Sequence, residues 1–168
     1  MALNALMKIS NAKGETKQDG VYSQEGWIEL QGWDWDVEAE TSWTKGGGAS
    51  VGKPNPGKMN WEHYYDSSSG QILTFIWSGR AFEKMKLQML KGTGAGQQVF
   101  FEMLMQGVFI TKVANSATDD GNVLQKVEMV FKEVDFTYRT QTSTGSQAGK
   151  LNSGELTCGW DIPAGKVR

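Results

Sequence analysis

Apolar and polar positions alternate with a period of two over most of this chain, the spacing of strands that bury one face. Ala5, Met7 and Ile9, preceded by Leu3, alternate with Asn4, Leu6, Lys8 and Ser10 and predict a first strand. In the stretch 26–51 the alternation runs as Ile28 and Leu30, slips by one place at Gly32, and resumes as Trp33, Trp35 and Val37, which reads as a bulged strand. Behind the turn-forming run Lys53-Pro54-Asn55-Pro56-Gly57, the positions Met59, Trp61, His63 and Tyr65 predict the third. Met85, Leu87 and Met89 make another strand, and Val99, Phe101, Met103 and Met105 the one after it. A second change of face falls at Gly107, before Val108 and Ile110, and a third at Lys132-Glu133, between Val127, Met129, Phe131 and Val134, Phe136, Tyr138. Leu156, Cys158 and Trp160 end the series as a short last strand. Bulges bend a sheet, so three long strands with phase slips predict a strongly curved sheet closing on itself.

One segment departs from this period. Asp66-Ser67-Ser68-Ser69 offers N-cap residues, Ile72, Leu73, Ile76 and Trp77 follow at helical spacing, and Ser78-Gly79 closes the run. The spacing predicts one helix over 66–79, its apolar stripe lying on the sheet. Residues 11–24, 92–96, 115–122 and 140–150 are rich in glycine and small polar residues and read as loops, a hairpin turn and a solvated linker.

The arm over 38–57 is the exception among the strands. Past Val37 the alternation gives out: Glu38, Ala39, Glu40, Thr41 and Ser42 lead through Trp43 into Lys45-Gly46-Gly47-Gly48. One large apolar side chain does not offset the ordering entropy of three glycines, so this arm is expected not to fold on itself and to need a partner. A strand that leaves its sheet as a polar arm points to an assembling protein rather than an enzyme.

Length and charge narrow the choice. The 168 residues predict a single domain, 1–168, and the net charge of −2, with signs interspersed, gives no field that would draw nucleic acid or an anionic membrane. No apolar run approaches the ~18 residues that signal a membrane-crossing helix, and the start lacks the basic-then-apolar order of a signal peptide. Cys158 is the sole cysteine and, lying on an apolar alternation, is expected to be buried and inert. The 21 glycines argue for many turns, and the seven tryptophans for large buried areas on a small chain.

Candidate chemistry is sparse. His63, the single histidine, has Glu62 and Asp66 nearby in sequence, but a strand puts residue 62 on the opposite face. A structural hydrogen bond at the strand-to-helix junction is the expected role, and a hydrolase built on His63 and Asp66 lacks a nucleophile. One histidine and one cysteine do not make a zinc site. Gly92-Thr93-Gly94-Ala95-Gly96 has no following helix or Gly-Lys-Ser/Thr, so it is a turn and not a phosphate loop. Asp119-Asp120-Gly121-Asn122 lacks the remaining ligands of a calcium loop. No cofactor is expected. Trp33, Trp35, Trp43, Trp61 and Trp77 admit a second reading, a tryptophan-rich carbohydrate-binding β-domain. Against it, Trp33 and Trp35 share a face with apolar partners and suit a core, while Trp43 suits an interface.

The order of these features resembles the haemolysin-coregulated protein (Hcp) family, the tube subunits of bacterial type VI secretion. The resemblance rests on Leu6-Met7-Lys8-Ile9 with Gly14-Glu15; on Trp27-Ile28-Glu29-Leu30 with Gly32-Trp33-Asp34-Trp35; and on the glycine arm 46–52. It continues in Glu62-His63-Tyr64 with Asp66 and Ser68, in Gly107-Val108-Phe109-Ile110-Thr111, and in Val127-Glu128-Met129-Val130-Phe131 ending at Tyr138. Ser69-Gly70 stands where many relatives have a proline. The resemblance implies a mainly β fold, a small curved antiparallel β-barrel with one flanking α-helix and an extended loop, and no catalysis. It implies homo-hexameric rings stacking into a hollow tube that carries small effectors, inside a contractile sheath and behind a spike protein. It also implies a bacterial cytoplasmic pool, then secretion without a cleaved signal peptide. On this resemblance the arm reaches a neighbouring subunit through Trp43, Lys45, Gly46, Gly47, Gly48 and Val51.

Overall fold

The structure, a computed structural model, describes residues 4–18, 20–44, 48–93, 96–141 and 151–168. The alternating segments form β1 (Ala5–Ile9), β2 (Ile28–Leu30), β3 (Gly32–Asp34), β4 (Val37–Thr44), β5 (Gly48–Pro56) and β6 (Met59–Tyr64). After them come β7 (Ala81–Thr93), β8 (Gly96–Ala117), β9 (Val123–Gln141), β10 (Leu151–Asp161) and β11 (Lys166–Val167). Two helices interrupt the strands, α1 (Val21–Glu25) and α2 (Ser69–Ser78).

Neighbours in the main sheet run β11-β10-β9-β8-β7-β1-β2, with β6 joined to β9 and β3 to β6, while β4 and β5 form a sheet of their own. The expected curvature is present, and its cause lies in three adjacent strands. Successive buried positions jump from Phe82 to Met85 in β7, from Met105 to Val108 in β8 and from Phe131 to Val134 in β9. Pairing stays in step across the jump: Phe82, Val108 and Phe131 are neighbours, and so are Lys84, Gln106 and Glu133. Each strand therefore takes an extra residue at one level, which turns the core face over without breaking register. Gly107 supplies the unusual backbone there, at φ 63°.

The barrel expected from the sequence is not closed. β2 pairs with β1 (Leu30 opposite Ala5), whereas β3 pairs with β6 (Gly32 opposite Glu62). The chain changes partner at Gln31, and among the described residues one bond, from the Gln31 N–H to the Glu62 carbonyl at 2.8 Å, spans the gap. The circuit is completed by covalent chain rather than by a hydrogen-bonded ladder.

The core lies inside this bend. Met7, Met59, Met85, Met103, Met105 and Met129 are fully buried, unbranched side chains suited to the uneven gaps of a folded-over sheet. Helix α2 lies on it, with Phe75 stacked on Phe82 at 3.9 Å and 10°. The buried face of α2 is Ser69, Ile72 and Phe75; Trp77, expected on the stripe, is 78% exposed. α2 begins at Ser69 rather than at 66, and its N-cap Ser68 makes no side-chain capping bond; ahead of it Asp66 accepts from the Ser68 N–H at 2.9 Å and the Asp66 N–H donates to Ser69 Oγ at 3.0 Å.

Two further expectations are corrected. Helix α1 occupies the end of the expected loop 11–24 and runs one residue past it; it ends at left-handed Gly26 and rests on an edge contact between Tyr22 and Trp27, rings 5.1 Å apart. Cys158 is exposed. It does sit on the strand face that carries Trp160, but among the described residues nothing covers that face so far along β10. The linker 142–150 and residues 94 and 95 of the glycine turn lie outside the described residues.

Candidate functional site

The site is the ribbon that leaves the sheet after β3. Its base is fixed by aromatic packing. Trp33 stacks on Phe101 at 5.6 Å, and Trp35 packs on Phe131 at 5.3 Å and Phe136 at 5.7 Å. Trp35 Nε1 donates to the Gly57 carbonyl at 3.0 Å, and the Gly57 N–H donates to the Asp36 carbonyl at 2.9 Å. The outgoing and returning chains are thus tied together where they leave the body. A Cβ at Gly57 would land on the Asp36 carboxylate, which would have to move, and would lie 3.0 Å from the Asp36 carbonyl oxygen.

Beyond this base the arm does fold on itself. β4 pairs with β5 from Val37 opposite Pro56 to Thr44 opposite Gly48, with one bulge between Ala39 and Thr41. Backbone pairing needs no large apolar side chains, and Thr41, Ser42, Thr44 and Val51 suit strands. Pro54 and Pro56 are tolerated because both strands of a two-stranded ribbon are edges. Alternation gives the ribbon two faces. Val37, Ala39 and Thr41 share one with Pro56, Pro54 and Val51; Glu38 and Ser42 share the other with Asn55 and Ser50, the two serine hydroxyls hydrogen-bonded. Every described side chain over 37–42 and 50–56 is exposed, Val37 by 43% and Val51 by 70%.

Of the contact residues expected from sequence, Val51 lies exposed on this ribbon, with the backbones of Trp43 and Gly48 near its far end. Lys45, Gly46 and Gly47 lie outside the described residues. The base clamp of Trp35, Asp36 and Gly57 was missed, although the Trp-Asp-Trp-Asp alternation before the arm and the glycine after it were its signal.

The remaining candidates are absorbed by structure. His63 is fully buried, its Nε2 is 2.7 Å from Gln125 Oε1, and Gln125 Nε2 donates to Asn115 Oδ1 at 3.1 Å. Burial pushes the His63 ring below its ordinary value of 6.5, with the Gln125 hydrogen bond and then Asp66, 3.9 Å from Nδ1, pulling the other way. Asp120 accepts from Thr118 Oγ1 and Asn122 Nδ2 within its own turn, and these bonds hold its carboxyl below the usual range. Among the described residues no three His, Cys, Asp or Glu side chains gather as a metal site. Trp35 packs inward and Trp77 sits on α2, while Trp33 and the buried Trp61, paired across β3 and β6, both border one cavity, so the five tryptophans named from sequence do not form one flat face. That cavity, of about 370 Å³, is also lined by Asp34, Asn60, Glu62, Lys112, Lys126 and Glu128; Lys126 lies 4.0 Å from Glu62, Asn60 Nδ2 donates to Asp34 at 3.1 Å, and Glu128 is paired at 3.0 Å with Lys58 from outside the lining. Among the described residues no helix is long and apolar enough to cross a membrane.

Known proteins share the family and the fold of this chain. Residues 6–138 match the family described as "Type VI secretion system effector, Hcp". Protein hcp1 of Pseudomonas aeruginosa is 26% identical over 163 residues, which cover 96% of each chain. Among solved structures, a type six secretion system protein superposes with a TM-score of 0.86 at 22% identity, over 99% of this chain and 100% of the other. Hcp1 from Salmonella typhimurium gives 0.76 at 24% identity, over 100% of both.

Proposed function

The chain belongs to the Hcp family of type VI secretion tube subunits, and on that premise we propose that copies of it close into hexameric rings that stack into a hollow tube. The tube carries small effectors, lies within a contractile sheath behind a spike protein, and leaves the bacterial cytoplasm by that machinery. The subunit performs no catalysis of its own; it is a wall element.

The observation that carries this reading is the ribbon. A two-stranded hairpin is marginal in water unless something covers a face, and here its described side chains, 37–42 and 50–56, are exposed beyond a clamped base. A neighbouring subunit supplies the cover, contacting Trp43, Lys45, Gly46, Gly47, Gly48 and Val51. Deleting residues 43–51 tests it. Native mass spectrometry should show rings lost while circular dichroism shows the body still folded and cooperatively unfolding. Rings that survive the deletion would show that the ribbon is not the contact.

A further inference from the structure

His63 is the single histidine of the chain, and its surroundings fix which ring nitrogen carries the hydrogen. Gln125 Nε2 donates to Asn115 Oδ1 at 3.1 Å, which turns the Gln125 oxygen toward His63 Nε2, 2.7 Å away. That oxygen can only accept, so Nε2 holds the hydrogen and Nδ1 is a bare lone pair. The lone pair is buried and has no hydrogen-bond partner among the described residues; the Asp66 carboxylate stands 3.9 Å from it.

Asp66 is already engaged. Its Oδ1 accepts from the Ser68 N–H at 2.9 Å and from the Ser68 hydroxyl, and its carbonyl accepts from the Ser69 N–H at 3.1 Å. Ser68 is the N-cap of α2, and its carbonyl accepts from the Ile72 N–H at 3.1 Å. One carboxylate therefore holds the turn that starts the helix and also faces the bare nitrogen of the ring. A charge-assisted hydrogen bond closes at about 2.8 Å, well short of the present gap. The ring is pinned by Gln125 and packed beside Trp61, centroids 5.1 Å apart, so the carboxylate is the partner that must move.

We propose that His63 and Asp66 form an acid-operated latch on α2: a proton taken up at His63 Nδ1 draws the Asp66 carboxylate off Ser68 and loosens the first turn of the helix. Asp66 is the charge that bears on the ring. β9 faces it with Gln125 and β8 with Asn115, and α2 has no ionisable side chain. Glu62 and Lys126, next to His63 and Gln125 in sequence, lie on the opposite face of their strands and beside each other. Burial keeps the ring neutral near neutral pH, so the latch is closed there and opens on the acid side. The release is local, because Phe75 stacked on Phe82 anchors the rest of α2.

With a single histidine, nuclear magnetic resonance of the unaltered full chain reads the ring directly. Long-range proton–nitrogen correlation should show the Nε2–H form at about pH 7.5 and both nitrogens protonated toward about pH 5.5, either side of the histidine reference value. Over the same range the Ser68, Ser69 and Ile72 amides should lose severalfold in hydrogen-exchange protection relative to the amides of β7, β8 and β9. In His63→Gln, which still donates to Gln125 but takes up no proton, that relative loss should vanish. An Nδ1–H ring at neutral pH, a ring still neutral when the whole chain unfolds, or a ring that titrates with the turn equally protected would each overturn the latch. So would a turn that opens equally in His63→Gln.

Discussion

His63 Nε2 and Gln125 Oε1 lie 2.7 Å apart with both side chains fully buried, while His63 Nδ1 has no hydrogen-bond partner among the described residues. Burial lowers the affinity of the ring for a proton in the folded state. The unfolded chain therefore binds more protons once the pH falls below its ordinary value of 6.5. The stability contributed by the neutral ring is complete above that pH and is lost progressively below it, down to the depressed folded-state value. The urea midpoint should drop between about pH 7.5 and about pH 5.5, a range that brackets the histidine reference value, and the drop should be smaller in His63→Gln. Parallel pH profiles for the two proteins would remove His63 as the cause.

Gly107 is the residue that lets three strands turn over together. Its φ of 63° disfavours any side chain, and an added Cβ would lie 3.1 Å from Lys132 Cδ. Gly107→Ala should cost about 1–2 kcal/mol from the left-handed backbone alone, read as a lower melting temperature. An unchanged melting temperature would mean that the bend does not depend on that conformation.

Two aromatic residues near α2 should behave oppositely. Phe82 is buried against Phe75 and its truncation to alanine should cost about 3–5 kcal/mol, whereas the exposed Trp77→Ala should stay within about 0.5 kcal/mol. Denaturant unfolding of both variants checks the order. A large loss at Trp77 would restore the stripe expected from sequence.

The base clamp predicts a separation of assembly from folding. In Gly57→Ala the new Cβ displaces the Asp36 carboxylate and disturbs the bond from the Gly57 N–H to the Asp36 carbonyl. The ribbon should lose its fixed exit angle. Ring formation should weaken, seen by native mass spectrometry, with the cooperative unfolding of the body retained. Undiminished rings would show that the clamp does not aim the ribbon.

Alternation reports which face a residue occupies, and this is why β1, β6, β8 and β9 and the face changes at Gly32, Gly107 and Lys132-Glu133 were legible. It does not report cover. Cys158 was placed on the correct face of β10, yet exposure there depends on what lies over the strand. Trp77 shows a related limit: α2 carries enough apolar residues for more than one stripe, and the one it buries includes Phe75, which stacks on Phe82 of β7. Helix α1 has too few residues to show a period and takes its support from Trp27. The ribbon was located by sequence, but its pairing was not, because backbone hydrogen bonds between small polar residues leave no hydrophobic pattern. Barrel closure failed for a similar reason: the change of partner at Gln31 looks in sequence like an ordinary bulge.

The most direct measurement is negative-stain electron microscopy of the purified full chain, paired with native mass spectrometry of the same sample. Rings with a central hole and a mass of six subunits are predicted. Particles without a hole, with only the single-chain mass across the concentrations at which the protein stays soluble, would contradict the account.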